Sequence, residues 1–263
     1  MSTADKQRAR LRYLVLAGLS PLMLLGLWML ATTQGWVRPV ILPPPQAVVR
    51  SFFDMIANGY SGVAFHTHLL ASLTRVGIAF VVGSALGVAI GMLRGRVSAV
   101  DAVFVVPAEM IRPIPPLGLI PLFILWYGIG EASKVLLILT SVFLITMVSA
   151  QAGARSCPED PLRAALSLGA NRTQVFRWVV LPAALPHIMT GLRVALGTAL
   201  SILVASELLG GDRGLGFIVL DASNFFRTTH VFAGVIIIGL VGLICDRSLA
   251  LLARRLVHWE GKR

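Results

Sequence analysis

Charged residues are scarce in this chain. They are 13% of its 263 residues, where a soluble domain carries roughly a quarter. Acids are scarcer than bases, 12 Asp and Glu against 23 Lys and Arg. A proton relay or a carboxylate-driven active site therefore has little to draw on, and the clustered aspartates of a metal-dependent head-group transferase are missing. The two cysteines, Cys157 and Cys245, have neither metal-ligand spacing nor a disulfide framework and read as free thiols. No G-x-x-x-x-G-K-S/T phosphate loop occurs. Gly210, Gly211, Gly214 and Gly216 follow no strand, so they read as a flexible outer loop rather than a nucleotide site. An intramembrane protease would need Gly-x-Ser-Gly and a mid-span histidine. Val82-Gly83-Ser84-Ala85 does not match, and no histidine lies mid-span. Internal repeats and low-complexity segments are also lacking.

Apolar sequence dominates, at 56% of residues. About 20 apolar residues cross a hydrocarbon core as a helix, and six runs qualify: 13–33, 69–93, 99–128, 135–154, 183–209 and 231–253. The expectation is an all-α polytopic membrane protein with six transmembrane helices, a single transmembrane domain over residues 1–263. Lys6, Arg8, Arg10 and Arg12 precede the first run like a signal peptide. That run is long and lacks an A-x-A site, which makes it an uncleaved anchor. After Pro43-Pro44-Pro45, Gln46–Asn58 reads as a short amphipathic helix.

Basic residues set the orientation. Fifteen flank one side, in the N-terminus, the loop between the second and third spans, the segment from Arg155 to Pro182 and the C-terminal part from Arg247 onward. Five flank the other, and Arg75, Arg112 and Arg193 lie within spans. Both termini are expected in the cytoplasm. The excess of base is thus membrane topology, with no call for nucleic acid.

The third span is interrupted by Pro113, Pro115, Pro116 and Pro121, each of which removes a backbone donor. Broken backbone at membrane depth is tolerated inside protein or beside a water-filled cavity. Glu109 and Arg112, three residues apart, can pair, and Pro115-Pro116 are expected to free the carbonyls of Ile111 and Arg112. Ionisable residues inside a membrane are functional candidates. Arg112, Pro115 and Pro116, with Arg193 as a second cation, are therefore candidates for a translocation pathway biased toward anions; a structural Glu109–Arg112 pair is the competing reading. Small residues recur every fourth position at Ala79, Gly83, Gly87 and Gly91, and again at Gly197, Ser201 and Ala205. Such stripes permit close helix approach, within the chain or, for the second stripe, at a dimer or pathway face.

Between spans four and five, the polar segment DPLRAALSLGANRTQVFRWVVLP reads as two short helices. Asp160 is expected to cap the first ahead of Pro161, and Gly169 to end it. Asn171 and Gln174 have the spacing of a capping box for the second. Ala164-Ala165, three residues, Gly169, nine residues, then Val179-Val180-Leu181-Pro182 resembles the cytoplasmic coupling loop of bacterial ABC-importer permeases, with Arg163 where that pattern has Glu. The runs RPIPPLGLIPLFILWYGIGEASKVLLI (112–138), LPPPQAV (42–48), ASLTRVGIA (71–79), LPAALPHIMTGLRVALG (181–197) and SELLGGDRGLGFIV (206–219) are similar to permeases for sulfonates, nitrate and related anions, most of all the taurine branch.

The resemblance implies a non-enzymatic permease of the bacterial inner membrane that imports taurine or a related alkanesulfonate, with nitrate or another small solute as the alternative. It implies a second copy of the permease, two cytoplasmic ATPase subunits and a periplasmic solute-binding protein. ATP and Mg would sit on the ATPase, and this chain would carry no cofactor. Arg163, Ala164, Ala165, Gly169, Leu181 and Pro182 would contact or couple to the ATPase. A self-contained secondary transporter would leave this loop unexplained.

Overall fold

In hydrocarbon a backbone must satisfy its own hydrogen bonds, and the helix does so within one segment. The computed structural model describes residues 3–259. Among them the regular elements are helices, with one isolated bridge between Tyr60 and Val63. They are α1 (Thr3–Thr33), α2 (Pro45–Asn58), α3 (Phe65–Arg96), α4 (Ser98–Ile111), α5 (Ile120–Tyr127), α6 (Glu131–Arg155), α7 (Glu159–Ser167), α8 (Arg172–Val175), α9 (Leu181–Leu209), α10 (Leu215–Asn224) and α11 (Thr228–Leu256). Five helical segments among the described residues are long and apolar enough to cross a membrane, and a bent pair makes a sixth. That pair is α4 with the turn and helix 116–127, which meet at 88°. The expected all-α, six-span architecture is present, and the proline-rich run is where one span breaks.

The chain forms two compact units. In the first, residues 3–65 and 218–236, the indole of Trp28 donates to the Pro43 carbonyl at 3.0 Å. Its ring lies 6.0 Å from that of Phe232. The Tyr60 hydroxyl donates to Asp221 Oδ2 at 2.9 Å. Burial, reinforced by the Asp221 carboxylate, pushes that phenol up to about 12.

In the second unit, residues 66–217 and 237–259, α3 and α9 both pack on α6. Gly83, Gly87 and Gly91 of α3 lie against the backbone and side chains of α6 between Leu139 and Ala150. A Cβ on any of them would collide with α6, so this small-residue stripe is an intrachain seam. Gly153 of α6 takes Ala184 and His187 of α9, and Gly191 of α9 takes Ser149 of α6. The apolar core between these helices includes Val76, Ala79, Ile138, Val142, Ala195 and Ala199. In α9 the other small stripe is open over part of its length: Gly197 and Ser201 are exposed, and a Cβ at Gly197 would meet nothing within 4 Å, while Ala205 packs against the core.

Candidate functional site

The segment between α6 and α9 folds as two short helices. Helix α7 begins at Glu159 after Pro158, two residues earlier than the sequence suggests. Asp160 is therefore inside the first turn and not the cap; with Pro158 extended ahead of them, two consecutive acids complement the N-terminal dipole instead. Gly169 has φ +82°, the left-handed conformation that ends a helix. The Gly169 and Ala170 N–H groups return to the carbonyls of Leu166 and Ala165, both at 3.0 Å. The capping box forms as expected: Gln174 N–H donates to Asn171 Oδ1 at 2.9 Å, and Asn171 N–H to Gln174 Oε1 at 2.8 Å.

Leu162 and Ala165 pack beside a core that includes Ala154, Cys157, Val175 and Val180. Arg163, Ala164 and Gly169 are exposed, and Arg163 pairs with Glu159 one turn back. Three large apolar side chains stand open nearby, Leu166 at 55%, Leu168 at 89% and Trp178 at 71% exposure. Sequence reasoning placed the small residues of this surface but not these three. Their signal was available: apolar residues off the packed face of an amphipathic helix. Ala165, Leu168, Gly169 and Trp178 line one shallow hollow. Phe176–Val180 then forms a π-helical turn that runs without a gap into α9. Pro182 has no N–H for the Trp178 carbonyl, and its ring crowds that carbonyl, so the turn widens there. Leu181 and Pro182 are thus the junction between the two-helix segment and the span.

The break in the third span opens a cleft of about 230 Å³ lined by Arg112, Ile114, Pro116, Thr140, Ser141 and Ser149 among others. Arg112 and Pro116 do meet on one surface, and hydroxyls of α6 face them; Pro115 is exposed outside that lining. The Arg112–Glu109 contact is long, 3.9 Å, with both side chains more than 60% exposed. One expectation is corrected. The Ile111 carbonyl is not left free, because the Ile114 N–H turns back to it at 3.0 Å. Arg193 lies elsewhere. It makes a two-pronged contact with Asp246 of α11, 3.1 Å on each prong, and lines a separate cleft with Pro186 and Arg254. Its partner comes from another span, which a search along its own helix does not reveal.

A third feature was not foreseen. His68, Ser72 and Arg75 occupy one face of α3. Arg75 donates through Nε and Nη2 to Glu131, both at 2.5 Å, and through Nη1 to Glu207 Oε1 at 2.6 Å and to the Arg213 carbonyl at 2.9 Å. Ser72 donates to Glu207 Oε1 at 2.7 Å. Three consecutive backbone N–H groups of the glycine loop are held as well: Gly214 by His68, Leu215 by Ser72 and Gly216 by Glu207 Oε2. The loop read as flexible is therefore clamped. Its glycines serve close approach, since a Cβ on Gly214 would strike the Glu207 carboxylate. Arg75 and Glu207 side chains are 4% and 0% exposed. The signal was an arginine and a glutamate near the same end of two spans.

The profile described as binding-protein-dependent transport system inner membrane component matches residues 83–258. The taurine transport system permease protein of Escherichia coli (strain K12) is 40% identical over 91% of this chain and 88% of its own length. A putative aliphatic sulfonates transport permease protein of Bacillus subtilis (strain 168) is 35% identical over 97% and 91%. A nitrate import permease protein of Synechocystis sp. is 32% identical over 84% and 82%. Among solved structures, the inward-facing MetNI methionine ABC transporter superposes with a TM-score of 0.56 at 17% identity, covering 80% of this chain and 96% of that one. An amino acid ABC transporter with histidines gives 0.56 and 17%, covering 80% and 94%.

Proposed function

The chain belongs to the binding-protein-dependent transport inner-membrane components, the permeases of ABC importers, and from that premise we propose that its cargo is a small sulfonate, taurine or a related alkanesulfonate. The observation that carries the cargo is the 40% identity to a taurine permease across nearly the whole chain. The cleft agrees with it: one guanidinium and several hydroxyls among apolar walls can hold an anionic head group weakly enough to release it. Nitrate is the second reading, favoured by the cyanobacterial relative.

The remaining assembly is proposed with it. Both termini and residues 158–182 face the cytoplasm. Two ATPase subunits, which bind ATP and Mg, dock on the face formed by Arg163, Ala164, Ala165 and Gly169 with Leu166, Leu168 and Trp178. Their closure is transmitted through Leu181 and Pro182 into α9. A periplasmic binding protein delivers the solute. A second copy of the permease completes the passage, with the open stripe of α9 toward it.

Reconstitution tests the cargo reading. The permease, its ATPase and its binding protein in proteoliposomes are expected to accumulate taurine in an ATP- and binding-protein-dependent manner. Uptake of nitrate without taurine or any alkanesulfonate would replace the sulfonate reading.

A further inference from the structure

Helix α2 carries none of the residues assigned above to the cleft or to the ATPase face, yet it has an unusual surface. At 100° per residue its apolar side chains span an arc of about 160°. Only part of the arc is covered: Val48 and Met55 are buried, while Val49, Phe53 and Ile56 are 53%, 61% and 48% exposed. These three are spaced four and three apart and form one open stripe. The other side carries Gln46, Arg50, Asp54 and Asn58, all exposed, with Asn58 donating to Asp54 at 2.7 Å.

Two tethers set the depth of α2. At its start, the Pro43 carbonyl is held by Trp28 of α1, five residues or about 7.5 Å along the helix from Thr33. Near its end, Asp54 lies 3.9 Å from His230 in the first turn of α11. Both spans thus hold α2 at their ends opposite the N-terminus, where chain passes from hydrocarbon to water. The spanning part of α1, Val15–Thr33, is 0% buried by the protein, which leaves that apolar helix to be covered by lipid. Tryptophan at such a level is the usual interfacial anchor.

We propose that α2 is an interfacial helix whose stripe Val49, Phe53 and Ile56 is immersed in the lipid of the leaflet opposite the N-terminus, with Arg50 at the level of the lipid phosphates. A helix of this kind sits with its apolar face about 5–10 Å into the head-group and acyl boundary. The assignment rests on the spans and not on the cargo.

Site-directed nitroxides test it in the full permease. With Cys157 and Cys245 replaced by serine, single cysteines at 49, 53 and 56, and at 46, 50 and 58, are labelled in phosphatidylethanolamine–phosphatidylglycerol vesicles. The first set is expected to collide more with oxygen than with a nickel chelate, at a depth of about 5–10 Å below the phosphates. The second set is expected to show the reverse. Equal chelate access for both sets would overturn the proposal in favour of a water-facing surface for a soluble partner. Spin–spin broadening at 53 and 56 would overturn it in favour of a second copy. Phe53→Trp gives an independent readout: quenching by brominated lipid must rise above that of the parent protein, and no rise would also overturn it.

Discussion

Gly169 and Arg112 carry the sharpest consequences of single side chains. A Cβ at Gly169 would meet nothing within 4 Å, while its φ is +82°. The cost of substitution is therefore conformational, about 1–2 kcal/mol for an ordinary L-residue in the left-handed region, and asparagine escapes most of it. Gly169→Leu is expected to abolish uptake and loosen ATPase copurification while the protein still inserts; Gly169→Asn is expected to retain both. Normal uptake by the leucine variant would remove Gly169 from the coupling surface. At Arg112, the 3.9 Å contact with an exposed Glu109 is too long and too open for a structural lock, since exposed pairs contribute about 0–1 kcal/mol. Arg112→Gln is expected to slow uptake without unfolding, and Arg112→Lys to keep part of it. The double replacement Glu109→Gln, Arg112→Gln should remain as slow as the single. Recovery in the double variant would make the pair structural.

The clamp on α3 and the tyrosine at Asp221 belong to the scale of elements. Arg75 holds α3, α6, the end of α9 and the glycine loop together through Glu131, Glu207 and the Arg213 carbonyl. Removing one partner of a buried pair leaves an uncompensated charge and costs about 3–5 kcal/mol. Arg75→Leu is accordingly expected to lower the thermal midpoint sharply. Adding Glu207→Leu should recover part of the loss, because the stranded carboxylate goes with it. An unchanged midpoint in the single variant would mean the contacts contribute no stability. In the other unit, Tyr60 ties the loop before α3 to α10. Its hydroxyl is pushed up to about 12 by burial and by Asp221, so the folded state favours the protonated phenol. The stabilisation is full below the ordinary tyrosine value of about 10 and is lost as pH rises toward about 12. Tyr60→Phe should remove that slope from the high-pH limb of a stability profile, and an unaltered limb would show the bond to be unimportant.

Across the whole molecule, the distribution of basic residues predicts that a periplasm-only reporter fused after Arg263 stays silent; activity there would reverse the orientation. The open stripe of α9 makes the second test. Gly197 and Ser201 are exposed, and a Cβ at Gly197 would meet nothing within 4 Å. Ser201→Cys in a cysteine-free background is expected to cross-link two permeases in membranes. Failure to cross-link, with uptake intact, would move the interface off this face.

The sequence by itself determined which segments enter the membrane, because burial of apolar helix is additive along the chain and needs no partner. It also determined the local stops: Asn171 and Gln174 cap a helix through groups three residues apart, Gly169 ends one through its own φ, and the prolines after Arg112 break a span by withholding donors. Tertiary structure decided everything that depends on residues distant in sequence. Arg193 is neutralised by Asp246, 53 positions away, and Arg75 by Glu131 and Glu207, 56 and 132 positions away. The glycine loop that looks flexible along the chain is rigid because α3 presents a serine, a histidine and an arginine to its N–H and C=O groups. Packing of α3 and α9 on α6 likewise decided that one small-residue stripe is sealed and the other is open at Gly197 and Ser201, since small residues at every fourth position permit either until a neighbouring helix occupies them.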